Sequence, residues 1–169
     1  MKQQVIEKLK SAFTSTKYRQ EQENYGAAIQ ALESTSDIFE DMRQMHDKYG
    51  VHNWMANATP EQLSKFLQFR IDFLNEELTE TTEAFANKDA EEVVDGLIDL
   101  IVIAAGTLDA FGVDGNAAWQ QVLKANMAKE VGVKPTRPNK LGLPDLIKPS
   151  GWQAPDHSGN HGTFGNMFK

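Results

Sequence analysis

The chain of 169 residues contains no cysteine. Disulfides, a thiolate nucleophile and any cysteine-based zinc site are therefore excluded. No apolar run approaches the roughly 20 residues that span a bilayer, and the opening MKQQVIEKLK lacks the apolar centre of a signal peptide. A cytoplasmic protein that meets no membrane is expected. Acidic residues outnumber basic ones by 24 to 17, a formal charge of −7, which argues against a nucleic-acid backbone as partner. There is no P-loop, no GxSxG and no DxDxDG calcium loop. No histidine lies between Thr59 and Asn126, so the Glu-x-x-His pairs of a di-iron carboxylate bundle are missing. Most telling, no Lys or Arg occurs between Lys88 and Lys124.

That gap falls in the most acidic and most apolar part of the chain. Residues 71–109, IDFLNEELTETTEAFANKDAEEVVDGLIDLIVIAAGTLD, carry two helical patterns hinged at Asn87-Lys88-Asp89. At about 100° per residue, Leu63, Leu67, Leu74, Leu78 and Phe85 form the centre of an apolar stripe on the first helix, with Phe66 and Phe73 on its flank. Glu77 falls between Phe73 and Leu74 on that wheel, Glu80 sits beside Phe73, and Glu76 lies at the edge. The second helix is apolar nearly all round from Leu97 to Ala105, the pattern of a buried helix. Yet Glu92, Asp95 and Asp99 share one of its faces. Buried carboxylates without partners are costly. With no cation nearby in the sequence, the simplest counter-charge is a metal ion.

The hinge sets which acids meet. In an αα-hairpin, residues equidistant from the turn come level, so a turn centred on Lys88 sets Glu77 against Asp99, Glu80 near Asp95 and Glu83 near Glu92. Four carboxylates, Glu77, Glu80, Asp95 and Asp99, then surround one point. Only oxygens are offered, which suits Mg²⁺, with Mn²⁺ possible as a substitute. Asp89 followed by Glu92 has the spacing of a capping box, which gives Glu92 a purely structural role and makes it a second-tier ligand.

Glu76-Glu77-Leu78-Thr79-Glu80 resembles the EExxE signature of the MazG-type all-α nucleoside triphosphate pyrophosphohydrolases, a superfamily that also holds the dimeric dUTPases and phosphoribosyl-ATP pyrophosphohydrolase. The second signature of that group, ExxD before an apolar run, has two counterparts. Glu92-Val93-Val94-Asp95 has the spacing; Asp95-Gly96-Leu97-Ile98-Asp99 precedes the longer apolar run and comes level with EExxE. The second alignment makes Asp99 the counterpart of the family aspartate. In the helix after Asp114, Lys124-Ala125-Asn126-Met127-Ala128-Lys129 resembles the stretch by which family members hold substrate phosphates, which implies that role for Asn126 and Lys129, with Lys124 one step behind. The resemblance covers Thr59 to Lys129. It implies a nucleoside triphosphate substrate, hydrolysis to the monophosphate and pyrophosphate, Mg²⁺ as cofactor, and a homodimer or homotetramer. Glu76, Glu77 and Glu80 are the expected catalytic acids, with Glu76 or Glu77 taking the proton of the attacking water.

The remaining segments are plainer. Residues 2–34 predict one or two helices with a narrow Val5, Ile6, Leu9, Phe13 stripe. Asp37 starts a helix that stops at Gly50. His46 and His52 lie six apart with no third histidine near, and are expected to face solvent or pack; Trp54 is expected in a loop. Thr59-Pro60-Glu61-Gln62 has cap, first-turn proline and reciprocal glutamine for the helix that carries EExxE. Asn126 falls on the Trp119, Val122, Leu123 stripe, where a buried amide bonded to backbone is the plain alternative to phosphate binding. After Glu130 come all but one of the six prolines. This tail, similar to that of small phage-encoded members of the superfamily, is expected to be irregular. Its Arg137, Lys148 and Trp152 are candidates for closing over a nucleotide, against simple packing on the bundle.

The sequence thus predicts an all-α protein, a four- to five-helix bundle with an irregular Pro/Gly-rich C-terminal tail. Its parts are an N-terminal helical extension (1–34), the helical catalytic domain (35–130) and the tail (131–169). The rival expectation is a non-catalytic helical interaction module that uses its acidic face.

Overall fold

A computed structural model describes residues 2–34, 37–134, 141 and 145–168. Arg137, one of the closure candidates, lies outside the described residues. The fold is all-α: α1 Lys2–Ser15, α2 Arg19–Ser34, α3 Ile38–Tyr49, α4 Val51–Asn57, α5 Pro60–Asn87, α6 Ala90–Ala110 and α7 Gly115–Met127, with one two-stranded ribbon and a 3-10 turn behind them. The seven helices among the described residues exceed the four or five expected. One reason is that residues 2–34 form two helices. The other is that Gly50, at φ 73°, interrupts the chain for one residue and α4 begins at once. Trp54 is therefore helical, its ring 5.5 Å from that of Phe66.

The chain divides into two compact units, residues 1–41 and 42–169. In the first, α1 and α2 pack on each other, with Gly26 of α2 facing the Phe13 ring. Ile6 is buried, while Val5 and Phe13 keep considerable exposure, so the expected stripe is only partly covered. Asp37 accepts from the backbone N–H groups of Phe39 and Glu40 and so starts α3.

The second unit is built on the α5–α6 hairpin. Thr59 accepts from the Gln62 N–H, Gln62 Oε1 accepts from the Thr59 N–H, and Pro60 opens the helix. Twenty-eight residues later Lys88 turns left-handed at φ 60°, and the chain reverses. Asp89 accepts from the Glu91 and Glu92 N–H groups. The reciprocal half of the expected capping box is replaced: the Asp89 N–H donates to the Ala84 carbonyl. Glu92 is thus released from the capping role that its spacing suggested.

Contrary to expectation, α6 is not buried all round. Gly96, Ile103, Gly106, Thr107 and Ala110 face inward, whereas Val94, Leu97, Ile98 and Ile101 on the opposite face are 62%, 50%, 52% and 48% exposed. The stripe on α5 is also rotated from the expected one. Its inward line runs through Leu63, Arg70, Glu77, Thr81 and Ala84, and leaves Leu78 and Phe85 in solvent. A hairpin covers one face of each helix, so an apolar circumference on α6 leaves a surplus.

The apolar core lies at one end of the hairpin, where Met55, Leu63, Ala110 and Phe111 come together. Phe111 has no exposed surface. Burial of such a ring contributes about 2–3 kcal/mol. The tail completes this core: Phe164 stacks on Phe111 at 4.0 Å between centroids, and the Thr163 N–H donates to the Phe111 carbonyl. Gly162 is required there, because a Cβ would stand 2.0 Å from that carbonyl oxygen. The tail is therefore more regular than its composition suggests. Glu130–Gly132 (β1) and Asp145–Ile147 (β2) pair antiparallel, Glu130 opposite Ile147, and Phe164–Phe168 forms a 3-10 turn. Among the described residues no single helix is long and apolar enough to cross a membrane, and α6 and α7 are bent by 119° at the break between them.

Candidate active site

The acids gather near a close approach of α5 and α6 at Thr81 and Gly96. A Cβ on Gly96 would stand 2.3 Å from Thr81 Oγ1 and 3.4 Å from its Cβ, so only glycine permits this spacing. The contact fixes the hairpin register within one residue of that expected from a turn at Lys88. Thr81 is held in place by donating to the Glu77 carbonyl at 2.8 Å. Replacement of Gly96 by Ala should therefore destabilise the protein. Better helix propensity offers about 1 kcal/mol, but overpacking costs about 1–3 kcal/mol. Thermal denaturation should show a lower Tm for Gly96→Ala and recovery of most of the loss in Gly96→Ala/Thr81→Ala, which removes the obstructing hydroxyl. A single variant as stable as wild type would contradict so close an approach.

Around this point Glu77 is half-buried on the line that faces α6. Its carboxyl is pushed above the ordinary glutamate value, first by burial, then by the negative charges of Asp99, Glu80, Glu76 and Asp95. The structure thus brings the EExxE acids together with Asp95 and Asp99 of α6 into one electrostatic neighbourhood. Glu92 is not among the charges acting on Glu77. None of Glu76, Glu77, Glu80, Asp95 and Asp99 forms an ion pair or accepts a hydrogen bond among the described residues. A donor set made only of unpaired carboxylate oxygens fits a hard divalent cation. Glu77 and Asp99 are the inner members and Glu76, Glu80 and Asp95 the exposed ones.

The expected phosphate-binding residues form a second group. Lys129 Nζ donates to Asn126 Oδ1 at 2.7 Å. Asn126 is exposed, so the alternative of a buried amide bonded to backbone is not what the fold contains. Trp152 donates its indole N–H to the Ala125 carbonyl at 2.7 Å, with Lys148 Nζ 4.3 Å and Lys129 Nζ 5.9 Å from its ring centroid. Lys124, Trp152 and Gln121 line a cavity of about 340 Å³ between α7 and the tail. Lys148 and Trp152 are thus gathered with Lys129 and Asn126, but not with the acids. Asp99 and Asn126 lie on different arms of the α6–α7 corner, each about 16 Å along its helix from it.

Two features escaped the sequence reading. Arg70 lies on the inward line of α5 and donates from Nη2 to the Ile103 carbonyl (2.9 Å) and from Nε to Thr107 Oγ1 (3.0 Å). Burial lowers its pKa. It has no carboxylate partner among the described residues. Its position seven before Glu77 was the available signal. The other is Asp109. His46 Nδ1 lies 2.7 Å and His52 Nε2 2.8 Å from the same Asp109 Oδ2. His46 packs, as one expectation had it, but both rings meet a carboxylate rather than open solvent. Burial alone would lower the His52 pKa, but hydrogen bonds and charge from Asp47 and Asp109 outweigh it and raise the value. The partner is 57 residues distant in sequence, beyond the reach of spacing rules.

Residues 51–126 match the model of the phosphoribosyl-ATP pyrophosphohydrolase family. This stretch is a domain of that family, within the MazG-like all-α superfamily. No curated protein matches the chain. The family domain begins with α4, contains the whole α5–α6 hairpin and ends at Asn126 on α7, so it encloses every acid of the cluster. The match over residues 51–126 supports a pyrophosphohydrolase activity in general.

Proposed function

We propose that the protein hydrolyses a nucleoside or deoxynucleoside triphosphate between the α and β phosphates, with release of the monophosphate and pyrophosphate, in a Mg²⁺-dependent reaction. The observation that carries this reading is the unpaired carboxylate cluster around Glu77, inside a domain of a pyrophosphohydrolase family. Glu77, Glu80, Asp95 and Asp99 would hold the cation, with Glu92 in reserve. When bound, a divalent cation neutralises the phosphate chain and lowers the pKa of a coordinated water. The chain's own residues do the rest. Glu77, whose affinity for a proton is raised by its neighbours, or exposed Glu76 accepts the proton of the water that attacks the α-phosphorus in line with departing pyrophosphate. Asn126, Lys129 and Lys124 supply an amide and two ammonium groups that donate to phosphate oxygens without competing for the metal. Lys148 and Trp152 stand beside them for closure over the nucleotide.

We also read the protein as self-associating. Val94, Leu97, Ile98 and Ile101 on α6 and Trp119, Leu123 and Met127 on α7 are open apolar faces. A two-fold pairing that sets α6 of one copy against α7 of the other would cover both faces. It would also bring one copy's Asn126 and Lys129 toward the other's acids.

The test is pyrophosphate release from a panel of ribo- and deoxyribonucleoside triphosphates in Mg²⁺ or EDTA. Release in Mg²⁺ that stops in EDTA is expected, and the panel names the base and sugar. Folded protein that releases none from any nucleotide would instead favour a non-catalytic module that uses its acidic face.

A further inference from the structure

We infer that His46, His52 and Asp109 form a transition-metal site of the zinc class, separate from the carboxylate cluster. Three helices contribute one ligand each: α3 the buried His46, α4 the partly exposed His52, and α6 the nearly covered Asp109. The imidazole nitrogens and the carboxylate oxygen all lie within 4.8 Å of one another, and this trio is the set with that property among the described residues. The rings stand edge to face, 88° apart, so both aim a nitrogen at the same oxygen.

The surroundings have the form of a metal site's outer layer. His52 offers Nε2 toward Asp109, while its Nδ1 lies 2.6 Å from Asp47 Oδ1. A carboxylate on the far nitrogen fixes the ring and leaves the near nitrogen for the metal. Asp47 is itself held by Arg43 at 3.0 Å. Arg70 flanks His46 across Gly106 but is tied to Ile103 and Thr107 and leaves Asp109 to the histidines. Without a metal, the contacts of 2.7 and 2.8 Å are proton-bridged. Tetrahedral Zn–N and Zn–O bonds of about 2.0–2.2 Å place neighbouring ligand atoms roughly 3.4 Å apart. A cation in place of the bridging protons therefore needs the trio to open by about 0.6 Å, within the reach of side-chain rotation.

Two nitrogens and one oxygen favour Zn²⁺ and its neighbours over Mg²⁺. Three protein ligands leave a fourth position. Two of the three, His52 and Asp109, also line a cavity of about 490 Å³ together with Arg43, Met55, Phe111 and Thr163. Asp109 lies ten residues beyond Asp99 along α6, about 15 Å away, so the site does not share ligands with the carboxylate cluster.

The test is a zinc titration of the full chain against a chromophoric chelator, with millimolar Mg²⁺ present to occupy the carboxylates. One Zn²⁺ per chain is expected. Loss of an outer carboxylate costs metal sites about 10–100-fold in affinity, so Asp47→Ala should weaken binding by about tenfold and His52→Ala, which removes a direct ligand, by more. Glu80→Ala should bind Zn²⁺ as wild type does. His52 is partly exposed on a short helix, so its variant tests the site without emptying the core. X-ray absorption of the wild-type zinc complex gives a second readout, in which two imidazoles should appear in the first coordination sphere. No zinc uptake in Mg²⁺, unchanged affinity in His52→Ala, or an all-oxygen coordination sphere would each overturn the proposal.

Discussion

Replacement of Asp99 by Asn should reduce pyrophosphate release by about a thousandfold, on the order of 4 kcal/mol in the barrier, while the metal-free protein becomes more stable. The two effects share one cause. Asp99 is the strongest of the negative charges that raise the Glu77 carboxyl, after burial itself. In the absence of a cation its charge repels Glu77 across the narrow gap that Gly96 creates. A carboxyl whose folded pKa is raised favours the folded state while protonated, below its unfolded value of about 4.3. That contribution is lost as pH rises through the folded pKa. Wild type in EDTA should therefore lose stability across this window, and Asp99→Asn should lose less. With Mg²⁺ the order should reverse, because a ligand that binds only the folded protein stabilises it by mass action, and the variant lacks part of the set that would hold the cation. Thermal denaturation at about pH 4 to 8, with EDTA and with Mg²⁺, checks both halves. A variant that is inactive yet less stable than wild type in EDTA would point to a structural role for Asp99 and not to a charge held for a metal.

The register that sets Asp99 against Glu77 was legible in the sequence for a local reason. Lys88 is one residue in a left-handed turn, Asp89 caps α6 directly after it, and at fixed helical rise the levels of Glu77 and Asp99 come from counting. Thr59, Pro60 and Gln62 were readable for the same reason, since each acts within one turn. The rotation of α5 about its axis was not readable. The wheel put Leu78 and Phe85 at the centre of the stripe, but the inward line follows Thr81 and Arg70, because a glycine on α6 accommodates the threonine, and a carbonyl and a hydroxyl on α6 accept from the guanidinium. Those partners are long-range choices that hydrophobicity does not encode. The same limit hid Asp109: two histidines six residues apart look unremarkable until a third helix supplies the carboxylate. The tail misled for a different reason. Its prolines and glycines read as irregular, yet Gly162 and Phe164 dock it on Phe111 through contacts that only a packed core can specify.

The apolar surplus of α6 leads to the second large effect. Leu97→Glu/Ile101→Glu should yield a monomer that keeps its helix content and loses most of its activity. In one copy both side chains are about half exposed, so glutamate meets water there and the α5–α6 contact, on the opposite face through Gly96, Ile103 and Thr107, is left intact. In the paired form these side chains are covered. Removal of four half-exposed aliphatic side chains from water contributes on the order of 4 kcal/mol per copy, and two unpaired carboxylates at that interface would add a further penalty. The association constant should fall by about a thousandfold or more, readable by sedimentation velocity over a range of concentrations. Activity should fall with it, because the acids of one copy and the Asn126–Lys129 pair that would meet the nucleotide lie on separate arms of the α6–α7 corner. Wild type that sediments as a monomer at every concentration would sink the pairing. Full activity in a monomeric double variant would separate it from catalysis and require α7 to act on the nucleotide within one chain.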